Sequence, residues 1–437
     1  MRWLLLCIMA VVGFVRAQPV TVEAQAPVMD APFSVSALFA NYQPSIYQIR
    51  VINQATGQKT SIGSGFVVDD GHFLATNYHV VSDALRKDNH VLQAVDLNDE
   101  VSSLQLVGVD VIHDLALVKA DKKLGQAFEL GEIPKQGEEI YALGNPHDLG
   151  FVIVDGINNG LLRKTAQARI LFSGSLNSGM SGGPTLAKDG KVIGVNVAYL
   201  REGNDISFVI PAMYLRDLLK QKDEGVTDMN VLMTQQLFAD NQRYFEEALA
   251  QDWDLTTIGE YQVPLAVRED VKCWDSSPEA DVDDLLALES VSCFNDRSTF
   301  ISNNLTMGQF GYSYSYFYAR EPILRARFYQ LYSDYYRLSF SRRAQKDFGE
   351  FDCQSQFIEI SGRTFKSTFC RQPSKDFVLD GQSIDDQRFV AAEIGQAQQG
   401  FMIDIGMNGV QTELGKRIIV ALLKQITWQE NEQSIKK

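Results

Sequence analysis

NSGMSGGP, running from Asn177 to Pro184, decides how this chain is read. A serine among glycines is by itself a common surface turn, but two upstream segments change its weight: ATNYHVV from Ala75, which carries His79, and DVIHDLALVKA from Asp110, which carries Asp114. The order His, Asp, Ser is one of the known chain orders of a nucleophilic serine with its base and orienting acid. A serine hydroxyl is a poor nucleophile at neutral pH, so it needs a base within hydrogen-bond reach and a group that orients that base. His79 fits the first role, because a neutral imidazole titrates near working pH. Asp114 fits the second. The backbone amides of Gly179 and Ser181 are then the expected donors to a carbonyl oxygen as it gains charge, and the surrounding glycines let the chain turn them inward.

Working outward, the chain from Pro44 shows short apolar runs broken by Gly, Asn and Asp, among them IYQIRVI, SGFVVDD, HFLATN, LALVKA, EIYALGN, ARILFSG, KVIGVNVAYL and ISFVIP. Such runs, with turns such as Asp69-Asp70-Gly71 and Lys188-Asp189-Gly190, predict an antiparallel all-β unit of two packed barrels. PAMYLRDLLKQ from Pro211 predicts a closing helix.

At this point the chain resembles a trypsin-like serine protease of the HtrA or Deg kind. The resemblance covers roughly residues 35 to 222 and rests on PSIYQIRV, GSGFVVDDGHFLATNYHVV, DLALVKA, EEIYALGNPHDLG, NSGMSGGP and ISFVIP in that order. It implies a chymotrypsin-like double barrel and an endopeptidase that works without metal or organic cofactor on protein or peptide substrates. Residue by residue it implies His79 as base, Asp114 as its partner, Ser181 as nucleophile, and Gly179 with Ser181 as the oxyanion hole. It also implies that the strand at Asn196, Val197 and Ala198 pairs with the substrate backbone. Ser175 is expected at the base of the pocket for the residue before the scissile bond, with Ser207 and Ala198 on its walls. None of these is charged, so a small or medium apolar residue is the expected preference. Two departures stand out. INQATGQKTSIG is short, without the long regulatory loop of some relatives, and after Gly225 no peptide-binding PDZ module is recognisable, so neither substrate delivery nor oligomeric regulation carries over.

The chain's 437 residues exceed what one hydrophobic core usually supports, so two domains are expected, 35–222 and 223–437. A net charge of -15 argues against a nucleic-acid partner. Residues 1–17 read as an export signal, with Arg2, an apolar run from Leu4 to Phe14 and small residues Val15 and Ala17. Residues 18–34 read as a flexible lead-in. No later stretch approaches the roughly 20 apolar residues of a membrane span. With the resemblance, the signal implies a bacterial periplasm.

Cys7 falls within the signal, leaving Cys273, Cys293, Cys353 and Cys370. In an exported chain these fit two disulfides, with three possible connectivities and sequential pairing the economical one. Each would contribute about 3 kcal/mol by closing its loop. A zinc site is the weaker reading, since no C-x-x-C pair is present and the histidines all precede residue 150.

Residues 223–437 read as α+β, with a helix over about 230–250, strands near 286–293, 311–318, 356–361 and 401–405, and a terminal helix over 413–426. Tyr312, Tyr314, Tyr316 and Tyr318 fall on one strand face, as expected of core packing more than of a ligand-stacking surface. The acidic run Glu279 to Asp284 lacks the glycine and terminal glutamate of a calcium loop and reads as a solvated loop. His113 is read as structural or exposed, and His72, His90 and His147 as surface or turn residues. The competing reading of the whole chain is a catalytically silent or zymogen-like protease fold kept as a binding or chaperone scaffold.

Overall fold

Runs of β-branched and aromatic residues, each ended by a glycine or aspartate turn, cannot bury both faces singly and close on themselves instead. The computed structural model describes residues 33–198, 207–222, 228–279, 284–336 and 347–429. Two closed antiparallel barrels of six strands each occupy its first part. The first takes, in spatial order, Ile46–Asn53, Gln58–Val68, Phe73–Thr76, Leu115–Ala120, Val101–Asp110 and His90–Val95. The second takes Pro184–Leu186, Val192–Val197, Ser207–Pro211, Ile170–Phe172, Val152–Leu161 and Glu139–Gly144. This agrees with a chymotrypsin-like double barrel. The expected export signal and most of the lead-in lie outside the described residues. At the end of the lead-in the exposed Phe33 lies 5.3 Å from the Tyr141 ring, and Ser34 caps helix α1 (Val35–Tyr42).

The barrels meet across an apolar seam in which Phe66, Leu115 and Leu117 of the first pack with Tyr141, Leu143, Val195 and Ile210 of the second. Helix α2 (Tyr78–Arg86) opens the segment after the third strand, and helix α3 (Ala212–Gln221) seals the seam with Leu215 and Leu218. Loops from both barrels converge where the seam opens, which positions the site.

Helix α4 (Met229–Leu249) then leads into a mostly strand region. A seven-stranded antiparallel sheet runs Val271–Asp275, Leu286–Asn295, Phe310–Ala319, Gln399–Gln411, Gln382–Glu393, Arg363–Leu379 and Asp352–Ile360 in spatial order. Helix α5 (Arg325–Tyr335) packs Phe328 and Tyr332 on one face against Phe317 and Met402. The other face packs against α4 and helix α6 (Thr412–Gln425). The region is thus less helical than the α+β reading expects. Arg363–Leu379 and Gln382–Glu393 escape that reading because their buried positions include Ser367, Gln372, Ser374, Asp385 and Gln387, which mask the apolar alternation.

The cysteines pair sequentially, Cys273 with Cys293 and Cys353 with Cys370, each pair directly opposite across adjacent antiparallel strands. Tyr312, Tyr314 and Tyr316 are buried in the sheet core, while Tyr318 emerges at the strand end, 37% exposed. Of the acidic run, residues 280–283 lie outside the described residues. No helix among the described residues is long and apolar enough to cross a membrane.

The first barrel shares a continuous core with this region. Tyr78, Val81, Val109 and Val111 pack with Met229, Met233 and Leu237 of α4 and with Ile301, Leu305, Met307 and Phe377. Gln236 of α4 accepts from the Val111 amide at 3.0 Å and donates to the Val109 carbonyl at 2.7 Å, satisfying backbone groups just ahead of Asp114.

Candidate active site

His79 lies in the first turn of α2, where backbone amides lack intrahelical acceptors. Asp114 supplies one: its Oδ1 accepts from the His79 amide at 2.9 Å, and its Oδ2 meets His79 Nδ1 at 2.7 Å. One carboxylate therefore caps the helix and orients the imidazole, and its charge is favoured at a helix N-terminus. Asp114 reaches this position from a left-handed backbone, φ 58°, held by the Asn77 side chain and the Tyr78 amide, both of which donate to its carbonyl. The Asp and His side chains are 14% and 21% exposed, shielded yet open on one side. Close by, burial pushes the Arg169 guanidinium below its usual range, an effect opposed by the charges of Asp114 and Asp296. Burial also pushes the Tyr78 phenol far up, so it stays protonated and able to donate.

Ser181 stands in the loop between Ile170–Phe172 and Pro184–Leu186, on the second barrel's side of the seam. The loop is folded by hydrogen bonds from the Met180 amide to the Asn177 carbonyl and from the Gly183 amide to the Met180 carbonyl. Gly179 has φ 95°, and among the described residues neither its amide nor that of Ser181 has a hydrogen-bond acceptor. Both are free to serve an incoming oxygen. The Ser178 carbonyl is drawn away by the His147 amide at 2.8 Å, from a turn pinned by Asp148. Hydrogen bonds from Lys59 and Gln48 hold the Asp148 carboxyl below the usual carboxylate range. Within the described residues, the hydrogen-bond partner of the Ser181 hydroxyl is the Ala198 amide, at 3.1 Å, and not His79.

Ser64 carries no motif of its own in the sequence. Its amide donates to the Ser181 carbonyl at 2.7 Å and its hydroxyl to the Gly179 carbonyl at 2.7 Å, while Oγ accepts from the Asn145 amide at 2.9 Å. A first-barrel strand thereby clamps both sides of the nucleophile loop. Ser64→Ala removes the hydroxyl and leaves a buried carbonyl without its donor, so kcat/KM is expected to fall about tenfold or more, at unchanged substrate preference. A change under twofold would show that the loop holds its shape unaided. Only the G-S-G context of Ser64, placing it where backbones approach closely, hinted at this role in the sequence.

The expected pocket residues fall around this loop. Ser175 is exposed, Ser207 is buried with its hydroxyl accepting from the Leu176 amide at 2.9 Å, and Ala198 is half-buried. Asn196 departs from expectation. Its amide donates to Gly183, its carbonyl accepts from Gly182, and its side chain bonds Leu143 and Thr185. It supports the nucleophile loop from behind, because it sits directly opposite that loop across the sheet. His113 forms a separate pair, Nδ1 to Asp110 at 2.7 Å, stacked 3.6 Å from Tyr214. It is partly buried and lies on Asp114's own turn, as a structural residue does.

Residues 63–195 match the sequence profile of the trypsin-like peptidase domain. A probable periplasmic serine endoprotease, DegP-like, of Bartonella henselae is 33% identical over 172 residues, covering 37% of this chain and 33% of the relative. The putative serine protease HhoA of Synechocystis is 31% identical over 199 residues, 42% of this chain and 47% of the relative. The chain spans less than half the length of these curated relatives. Among solved structures, the serine endoprotease from Yersinia pestis aligns at 24% identity with a TM-score of 0.39, over 45% of this chain and 69% of that one.

Proposed function

We propose that this chain, which carries a trypsin-like peptidase domain of the HtrA/Deg kind, is an exported, periplasmic serine endopeptidase. The observation that carries the reading is the Asp114 carboxylate bonded at once to the His79 amide and Nδ1. With Nδ1–H donated to Asp114, the lone pair of His79 lies on Nε2, the nitrogen a base must use. Substrate binding turns the Ser181 hydroxyl from Ala198 towards that nitrogen. Oγ then bonds to the scissile carbonyl carbon as its proton passes to Nε2, and the oxyanion is met by the Gly179 and Ser181 amides. Collapse breaks the C–N bond, and the proton goes from Nε2 to the leaving amine. Water, deprotonated by the same nitrogen, hydrolyses the acyl-enzyme and restores Ser181.

Ser175, Ser207 and Ala198 offer the residue before the scissile bond an uncharged pocket, so a small or medium apolar residue is expected there. Cleavage-site profiling in a denatured protein mixture tests this, and dominance of Lys or Arg would overturn it. Activity itself is tested with a fluorophosphonate probe: an adduct mapped by mass spectrometry to Ser181 is expected. A folded, monodisperse sample that neither reacts nor cleaves casein would instead support the silent-scaffold reading. One contact favours a zymogen-like resting state as a second reading, namely the hydroxyl of Ser181 held by Ala198. In that case labelling is slow alone and accelerates when a cleavable peptide is added.

A further inference from the structure

The sequence TFISNNLTM, Thr299 to Met307, forms a β-hairpin of Thr299–Ser302 with Leu305–Met307. Its alternation sends Ile301, Leu305 and Met307 into the core shared with the first barrel. The Ile301 carbonyl accepts from the Tyr78 hydroxyl at 3.1 Å, which ties the hairpin's register to the residue immediately before His79. At the hairpin's base, Arg297 is buried, paired with Asp240 and stacked 4.2 Å over the Tyr244 ring. The hairpin is thus anchored on both sides.

Phe300 packs at the edge of the same core, against the buried Tyr78, and reaches from there to the base. Its ring stands edge-on to the His79 imidazole, centroids 6.0 Å apart and planes at 73°, and edge-on to Tyr78 at 6.3 Å. Phe300 is half-buried, so this neighbour of the base is not sealed within the core. A peptide laid across Ser181 must pass His79, and its side chain on that side meets a phenyl face instead of water.

Resting on the endopeptidase reading above, we infer that Phe300 is a specificity-determining residue: an apolar wall, contributed by the C-terminal region, that selects an apolar substrate side chain flanking the scissile bond on the His79 side. The C-terminal region is in this sense part of the substrate site. The wall acts by removing apolar substrate surface from water, so its effect scales with the size of the side chain it covers.

Full-length wild type, Phe300→Ala and Phe300→Lys are compared on peptides whose residue before the scissile bond is fixed while the flanking positions vary. Wild type is expected to prefer a bulky apolar residue over alanine at one flanking position. In Phe300→Ala the ratio of kcat/KM for bulky apolar against alanine there falls about tenfold. In Phe300→Lys the preference moves towards acidic residues, a gain that misfolding cannot produce. A uniform loss across all peptides with the ratio kept would mean a mere brace for α2 and would overturn the inference, as would an unmoved ratio or a wild type with no apolar flanking preference. The fluorophosphonate adduct separates the two levels. If wild type reacts at Ser181 but the ratio does not move, only the role of Phe300 falls, whereas an unreactive wild type removes the endopeptidase reading beneath it.

Discussion

Asp114→Asn is expected to lower kcat by about 10⁴-fold while leaving the fold intact. The fold survives because asparagine tolerates the left-handed conformation at φ 58° and its amide oxygen can still accept from the His79 amide at the start of α2. Chemistry fails because the other half of the asparagine side chain is an NH₂ group. Where the carboxylate oxygen meets Nδ1 at 2.7 Å, the NH₂ donates, and Nδ1 must become the acceptor. The proton then sits on Nε2, where it blocks uptake of the proton from Ser181. A second loss comes from the imidazolium, which no longer has a negative partner. The two together correspond to about 5.4 kcal/mol of transition-state stabilisation. Steady-state hydrolysis of a peptide and the rate of fluorophosphonate labelling should fall together, with circular dichroism unchanged. A fall under tenfold would mean that Asp114 does not orient the working base, and the separate His113–Asp110 pair would become the place to look.

How much of this site could be read in advance depends on the range of the interactions. The Gly-rich segment at Ser181 is locally an ordinary turn, and it is the order of His79, Asp114 and Ser181 in their segments that makes the site legible. Ser64 acts on Gly179 across 115 positions with only its flanking glycines to mark it, and Phe300, which follows α4 in the chain, meets His79 with nothing local to mark it. Asn196 is legible as part of its strand, but its bonds to Gly182, Gly183, Leu143 and Thr185 are set by register across the second barrel and not by motif. The barrel strands were legible from their apolar runs, except Pro184–Leu186, too short to show a period. Helix α2 was hidden by its Tyr and Val residues, which favour strands when read alone. Its N-terminus becomes intelligible only once Asp114 is seen to satisfy it.

Gly182→Ala is expected to be the most damaging single-methyl change at the site, destabilising the protein by about 3–5 kcal/mol and abolishing measurable hydrolysis. A Cβ at this position would stand 2.3 Å from the Ser64 carbonyl oxygen and 2.3 Å from Thr76 Oγ1, with the Asn77 amide at 2.9 Å. Two of those atoms are backbone, so no side-chain rotation relieves the overlap. The residue also has φ 85°, which costs an L side chain further energy. The only escape is to move the nucleophile loop away from the first barrel. That movement breaks the Ser64 amide's bond to the Ser181 carbonyl and the Gly182 amide's bond to Asn196, so the nucleophile loop loses its register on the first barrel. Gly57→Ala is the matched control. It has a similar positive φ of 69° but no atom within 4 Å of the added methyl, so it carries the backbone cost alone. In thermal unfolding the Gly182 variant should lose at least twice what the Gly57 variant loses, and only the Gly57 variant should retain fluorophosphonate reactivity. Equal losses would mean that the two barrels are not in the close contact at Ser64 on which this account of Ser181 depends.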